Sequence, residues 1–204
     1  DAEGRMKRYL AEYGGSAYAN DVQFGLGAHY CMVGDDVKAE MELKKVDYRT
    51  LSPAQKDQYD LRMGYMAFKR GDYPDAERYF SRIVPTSEYA DHATYYKSYM
   101  AYARGDYDVA RNGFTSLTQS PLYRDLMPYY LMQIDFKSGN YRAVVNSGDA
   151  LMQNTTEEHA LQIRRMMAES WFQLDDYEGA VKYMNAYKCY TKHGIFNTDP
   201  SLGH

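Results

Sequence analysis

Residues 100–114 have the sequence MAYARGDYDVARNGF, in which Gly-Asp-Tyr interrupts a pattern otherwise typical of a helix. Similar segments lie 34 residues before it, MAFKRGDYPDAERYF, and 34 residues after it, IDFKSGNYRAVVNSG. Weaker copies of the turn are Gly34-Asp35-Asp36, 37 residues before the first, and Asp175-Asp176-Tyr177, 36 residues after the last. A segment that recurs at such a spacing predicts a protein built from internal structural repeats.

Apolar and small residues recur at fixed distances on both sides of each turn. A small residue lies seven positions before the turn in most copies, and an aromatic residue or cysteine three before it. An alanine or valine follows five positions after the turn, and a large apolar residue usually nine after it. Steps of three and four residues predict two amphipathic helices per copy.

The turn residues have separate expected roles. Glycine, or Asp in the last copy, should take a left-handed backbone that ends the first helix. The Asp or Asn that follows should help to cap the second helix. The tyrosine should pack back across the hairpin, and the alanine should let its two helices approach closely.

This combination of a small residue, Gly-Asp-Tyr, Ala and Phe in a 34-residue unit resembles the tetratricopeptide repeat family. The resemblance extends over five copies, with a degenerate first copy, Gly148 in place of a large residue, and Trp171 late in its helix. It implies an all-α fold, a right-handed α-solenoid of antiparallel helix pairs. We predict a single domain over residues 1–204, with these repeats: 1–19 (partial), 20–53, 54–87, 88–121, 122–157 and 158–193. Neither end has a polar capping repeat, so we expect a segment of a longer array.

Composition and charge exclude several classes of function. The chain has 204 residues, a net charge of −4 and a pI near 5.7, and its Lys and Arg residues are scattered. This distribution lacks the basic patch of nucleic-acid-binding proteins. The longest apolar stretch, residues 126–134, is too short to span a bilayer. The cysteines, Cys31 and Cys189, are far apart in sequence, and we expect both to be free.

Candidate catalytic and metal-binding residues have simpler explanations. The sequence lacks a nucleophile elbow, a phosphate-binding loop and a His-Glu-x-x-His motif. His29 and Cys31 point to different faces of a helix, whereas Cys189 and His193 can share a face but lack further ligands. Adjacent aspartates such as Asp175 and Asp176 occupy the turns, where capping explains them. We therefore predict no catalytic residue, metal or cofactor.

A surface is the remaining candidate. In the tetratricopeptide family the first helix of each repeat lines the concave side, and residues four apart can point into the groove. The resemblance places ten candidate partner-binding residues there: Phe24, Leu61, Tyr65, His92, Tyr95, Tyr99, Tyr129, Gln133, Arg165 and Glu169. Aromatic residues beside hydrogen-bonding groups suit an extended peptide or an amphipathic helix. The alternative is that tyrosines such as Tyr95 and Tyr129 only pack between neighbouring repeats.

The sequence therefore predicts a non-enzymatic scaffold that binds a protein or peptide in this groove. One alternative is a structural segment that self-associates through its uncapped ends, and a carbohydrate-binding module is a weaker one. The stretches RYLAEYGGSAYANDVQFGLGAHY and SPLYRDLMPYYLMQIDFKSGNY resemble long tetratricopeptide proteins of Gram-negative envelopes, although Gly14 replaces the usual proline. This resemblance implies a location in the bacterial periplasm or cell envelope.

Overall fold

Helices form all the long elements of the computed structural model, which describes the backbone of residues 1–191 and side chains up to residue 188. Within that range there are eleven α-helices and no strand, so the predicted all-α class is confirmed. The chain divides into two compact units, Asp1–Met100 and the part that begins at Ala101. The prediction of a single domain with six repeat boundaries stays a prediction.

The first unit contains a lone helix, two complete hairpins and most of a sixth helix. Its helices are α1 (Ala2–Tyr13), α2 (Ala19–Val33), α3 (Asp36–Leu43), α4 (Pro53–Lys69), α5 (Tyr73–Phe80) and α6 (Ala90–Ala103), the last of which ends in the second unit. Helices α2 and α3 pack as one pair and α4 and α5 as another, while α1 packs on α2. Ser52 and Gln55 form a capping box at the start of α4, and Pro53 between them is the first residue of the helix.

The second unit repeats the hairpin arrangement. Its helices are α7 (Tyr107–Ser116), α8 (Met127–Lys137), α9 (Tyr141–Met152), α10 (Glu157–Gln173) and α11 (Tyr177–Thr191). Helices α8 and α9 form one pair and α10 and α11 another, and α9 also packs on α10. Short 3₁₀ turns at Tyr48–Thr50 and Leu117–Gln119 extend two of the connections between pairs.

The turns have the predicted backbone. Four glycines, at positions 34, 71, 105 and 139, have φ between 76° and 82°, and Asp175 has φ of 61°. The next residue caps the following helix in four copies, because an Asp side chain accepts a hydrogen bond from a backbone N–H of the first turn. Asn140 is the exception, since its amide instead donates to the Asp135 carboxylate at 3.3 Å.

The turn tyrosine packs back across its hairpin, as predicted. The ring of Tyr73 stacks on Phe68, three residues before the turn, with centroids 5.6 Å apart and an interplanar angle of 12°. Equivalent ring pairs recur in the later copies: Tyr102–Tyr107, Phe136–Tyr141 and Phe172–Tyr177. The recurring pair fixes how each second helix leaves its turn.

Small residues on first helices accommodate large residues from second helices. A Cβ added at Gly27 would lie 2.6 Å from Leu43, and one added at Gly64 would lie 2.7 Å from the Phe80 ring. Both of these large side chains are fully buried. The fourth copy reverses the sizes, with Met132 before the turn and glycine at position 148 after it. Its glycine is instead covered by a methionine of α10, 2.1 Å from an added Cβ.

Candidate functional site

Five of the predicted groove residues lie together in the first unit, on α4 and α6. We call this surface the α4–α6 face: Leu61, Tyr65, His92, Tyr95 and Tyr99. Tyr65 is 40% exposed, and the other four are half-buried. These side chains therefore retain surface that a partner could cover.

Aromatic rings connect the two helices of this face. Tyr96 is the centre of the group, with its ring centroid 5.6 Å from that of Tyr65, 5.2 Å from that of Tyr95 and 5.0 Å from that of Phe68. The Tyr96 ring also stacks on Phe80 at 5.2 Å. Burial raises the pKa of Tyr96 to about 12, so its phenol stays protonated at physiological pH. The face is thus anchored in the core through one ring.

A pocket opens at one end of the α4–α6 face. Its volume is about 290 Å³. It is lined by eight residues of the first unit: Cys31, Asp36, Leu61, Arg62, Tyr65, Met66, His92 and Tyr96. Three of them were predicted as groove residues. The pocket therefore combines aromatic and apolar walls with a guanidinium, an imidazole and a carboxylate.

The charged groups of the pocket are not equivalent. The Asp36 carboxylate accepts a hydrogen bond from Lys69 and forms an ion pair with it. Burial raises the pKa of the Cys31 thiol, although the neighbouring Arg62 opposes that shift. The thiol is free and is neutral at physiological pH, which makes it a poor nucleophile.

Four other predicted groove residues lie in the second unit, on α8 and α10. Tyr129 is only 7% exposed, and its ring stacks on that of His159 with centroids 3.9 Å apart and an angle of 14°. Burial raises the pKa of Tyr129 and lowers that of His159. Gln133 is half-buried, while Arg165 and Glu169 are exposed. Among the predicted groove residues of this unit, the accessible ones are thus polar or charged.

Phe24 and Tyr129 are more buried than the other eight predicted residues. Each is 7% exposed and belongs to a hydrophobic core, Phe24 to that of the first unit and Tyr129 to that of the second. Such burial leaves little of either ring for a partner to contact, so neither is part of the proposed surface. The use of all ten residues in binding stays a prediction.

The expected cysteine and metal properties can be described only in part. Among the residues whose side chains are described, no group of three His, Cys, Asp or Glu side chains could hold a metal ion. Cys189 and His193 lie outside those residues. No helix within the described part of the chain is long and apolar enough to cross a membrane.

Five of the eight pocket residues were not predicted as groove residues: Cys31, Asp36, Arg62, Met66 and Tyr96. Arg62, Met66 and Tyr96 directly follow the predicted residues Leu61, Tyr65 and Tyr95, but lie off the four-residue step that defines the face. This adjacency in sequence was the only signal for them. Cys31 was predicted to be a free thiol and Asp36 to be a turn residue, and neither was predicted to line a pocket.

Known protein structures include neighbours with the same type of fold as this chain. The sequence matches no family model and no curated protein. Among solved structures, a crystal structure titled MamA AMB-1 matches with a TM-score of 0.70 at 13% identity, covering 92% of this chain and 97% of that one. A structure of a MamA mutant matches with a TM-score of 0.67 at 14% identity, covering 91% and 98%. MamA is a tetratricopeptide-repeat protein.

The chain has a tetratricopeptide-type helical fold. The predicted fold class is therefore confirmed by the helix content and by these neighbours. Within the units α2, α4, α8 and α10 are the first helices of hairpins. The α4–α6 face accordingly consists of residues from the first helix of one hairpin and from the helix that follows that hairpin in the chain.

Proposed function

We propose that the protein is a non-enzymatic scaffold that binds a polypeptide on the α4–α6 face. The observation that carries the proposal is the ring group around Tyr96, which presents Tyr65 to solvent beside Tyr95. Tyrosine suits such a role, because its ring offers contact area at low entropic cost and its hydroxyl offers a hydrogen bond. The tetratricopeptide-type fold supports a protein–protein interaction role, since stacked hairpins provide extended surfaces.

An extended peptide or an amphipathic helix fits these features better than a small ligand does. Tyr65 is exposed on an open surface, and the adjoining pocket, at about 290 Å³, is at the lower end of the range of small-molecule sites, about 300 to 1,000 Å³. A few aromatic anchors usually provide most of the energy at such interfaces. We propose Tyr65 as the main anchor and Tyr99 as a second one. Gln133, Arg165 and Glu169 are the accessible predicted residues of the second unit, and we propose them separately as polar contacts for a partner of that unit.

The experiment places a photo-crosslinking amino acid at Tyr65, Tyr99 or Gln133 in the full-length protein in its native cell. A control probe at Arg78 on α5 lies in the first unit but outside the α4–α6 face. Captured proteins are identified by mass spectrometry. We expect the same partner to be enriched at Tyr65 and Tyr99 and not at Arg78.

Other outcomes separate the alternatives. Equal capture at Arg78 and at the face would contradict the proposal. Capture of the protein's own chain at the face would support self-association in place of a separate partner. The envelope location is also a proposal, resting on the sequence resemblance, and cell fractionation with an antibody to the protein would test it.

A further inference from the structure

Arg62 is the cation in the pocket that lacks an anionic partner among the described side chains. Its side chain is half-buried on α4, and its Nε is buried without a hydrogen-bond acceptor. Nearby cations are all paired: Lys69 with Asp36, Arg70 with Glu40 and Arg82 with Asp60. A buried donor without an acceptor is unfavourable, so an anion at Arg62 would gain a hydrogen bond that the free protein lacks.

The other polar groups of the pocket do not replace that anion. The Asp36 carboxylate is held by Lys69, which leaves Arg62 as the pocket's uncompensated charge. The thiol of Cys31 interacts with Arg62, but a neutral thiol is a weak acceptor. Arg62 is therefore the charged group of the pocket that is available to pair with a ligand.

Apolar and aromatic groups form the rest of the wall. Leu61 and Met66 come from α4 with Tyr65, and Tyr96 comes from α6. A volume of about 290 Å³ is at the lower end of the range of small-molecule sites and has room for a long side chain of a partner. Methylene groups can pack on this wall while a terminal carboxylate reaches the guanidinium.

We propose that this pocket binds one acidic side chain, glutamate in particular, from within the partner polypeptide. The proposal rests on the proposed function of the α4–α6 face, which it deepens by naming the chemistry of the partner. The carboxylate accepts from Arg62, and the side-chain methylenes lie against Leu61 and Tyr96. Nε is shielded from solvent in the free protein. The proposal therefore requires the guanidinium to turn on binding, so that Nε and one terminal nitrogen together meet the carboxylate in the two-donor geometry that matches it.

The test selects random dodecapeptides displayed on phage, fused through their C-termini so that only side chains supply carboxylates. Selection is carried out on the wild-type protein, on Arg62→Gln, and on Arg78→Gln as the matched loss of one arginine charge from the same unit. Arg78 pairs with Asp75 outside the pocket. Circular dichroism and thermal melting establish that each variant is folded.

We expect peptides selected on wild type and on Arg78→Gln to be enriched in Glu beside an aromatic or large apolar residue. The enrichment should disappear on Arg62→Gln. For one selected peptide, replacing Glu by Gln should weaken binding to wild type roughly tenfold to hundredfold, measured by fluorescence anisotropy. The same replacement should change binding to Arg62→Gln by about twofold or less, because the two groups form one interaction.

Variants that keep or reverse the charge of Arg62 provide an independent test. Arg62→Lys retains the charge without the guanidinium fork and should lose only part of the preference. Arg62→Glu should select Lys or Arg in place of Glu. This arm remains informative even where Arg62→Gln fails to fold.

Failure of the pocket assignment and failure of the proposed function would give different results. Peptides that are selected without acidic enrichment, or with an enrichment that Arg62→Gln retains, would overturn the pocket assignment and leave the proposed function standing. Selection of no peptide by any of the proteins would contradict peptide binding itself, and the pocket assignment with it.

Discussion

The contact between Gly27 and Leu43 allows a direct test of how the repeat builds its hairpins. Changing Gly27 to Ala places a Cβ 2.6 Å from both Cγ and Cδ2 of Leu43 and 3.2 Å from its backbone nitrogen. Leu43 is fully buried, so it cannot move away without disturbing the core. Gly25, on the same helix, is the matched control, because its added Cβ would meet only the Met6 sulfur at an ordinary 3.6 Å.

The magnitudes follow from two opposing effects. Replacing a helical glycine by alanine stabilises the helix by about 1 kcal/mol. Overpacking of a well-filled core costs about 1–3 kcal/mol. Gly25→Ala should therefore raise the free energy of unfolding by up to about 1 kcal/mol. Gly27→Ala should lie about 1–3 kcal/mol below Gly25→Ala, since the helix-propensity gain is common to both.

The assay is urea unfolding followed by far-UV circular dichroism. The single tryptophan, Trp171, lies in the second unit and is therefore not the probe for a contact in the first. A double-mutant cycle with Leu43→Ala adds specificity. Leu43→Ala alone should cost about 2–5 kcal/mol, and it should cost about 0.5–3 kcal/mol less when Gly27→Ala is present.

Two results would refute this account of the hairpin. One is equal stability of Gly27→Ala and Gly25→Ala, which would mean that the close approach is not energetically important. The other is strict additivity of Gly27→Ala and Leu43→Ala, which would mean that the two positions do not share a contact.

Three further predictions concern a turn, a stacked pair and a buried hydrogen bond. Gly71→Ala should lower the free energy of unfolding by about 1–2 kcal/mol, because the space around it is open but φ is +76°; Gly71→Asn should lose less, and equal losses in urea unfolding would contradict the backbone explanation. Burial holds the pKa of His159 below its usual 6.5, so the unfolded chain takes up the proton more readily and stability should fall as pH falls below 6.5. His159→Phe should keep the stack on Tyr129 and flatten that part of the melting-temperature profile, whereas an unchanged slope would contradict the assignment. Tyr48→Phe removes the 2.6 Å hydrogen bond to the fully buried Asp60 carboxylate. It should lower the free energy of unfolding by about 1–3 kcal/mol, measured by urea unfolding, and an unchanged free energy would contradict the role of this bond.

Much of the hairpin could be predicted from the sequence because its determinants are local. Each turn is specified by a few consecutive residues. A glycine takes the left-handed backbone, an aspartate caps the second helix, and a tyrosine packs on a ring five residues earlier. Asn140 departs from this pattern because a nearby carboxylate, Asp135, competes for its amide. The unusual Gly148 is explained only by a methionine from the next hairpin, which no local pattern reveals.

The candidate site was less predictable because it depends on how neighbouring helices are rotated. A four-residue step selects one line along a helix, and that line included Leu61 and Tyr65 but excluded Arg62, which directly follows Leu61. The pocket combines α2, α4 and α6 residues, from Cys31 to Tyr96, through packing that spacing alone does not specify. The burial of Phe24 has the same origin, since its ring is part of a core that several helices of the first unit build together.

The central claim is that the α4–α6 face binds a polypeptide, and Tyr65 tests it most directly. The measurement is quantitative recovery of co-purifying protein with wild type, Tyr65→Ala and Tyr18→Ala from the native cell. Tyr18 is the matched control, a 69% exposed tyrosine of the same unit that is not on the face. We predict that Tyr65→Ala loses about 2 kcal/mol of binding, roughly 30-fold in affinity, while Tyr18→Ala recovers the partner like wild type. Equal recovery by all three proteins, or no partner above background with any of them, would contradict the claim.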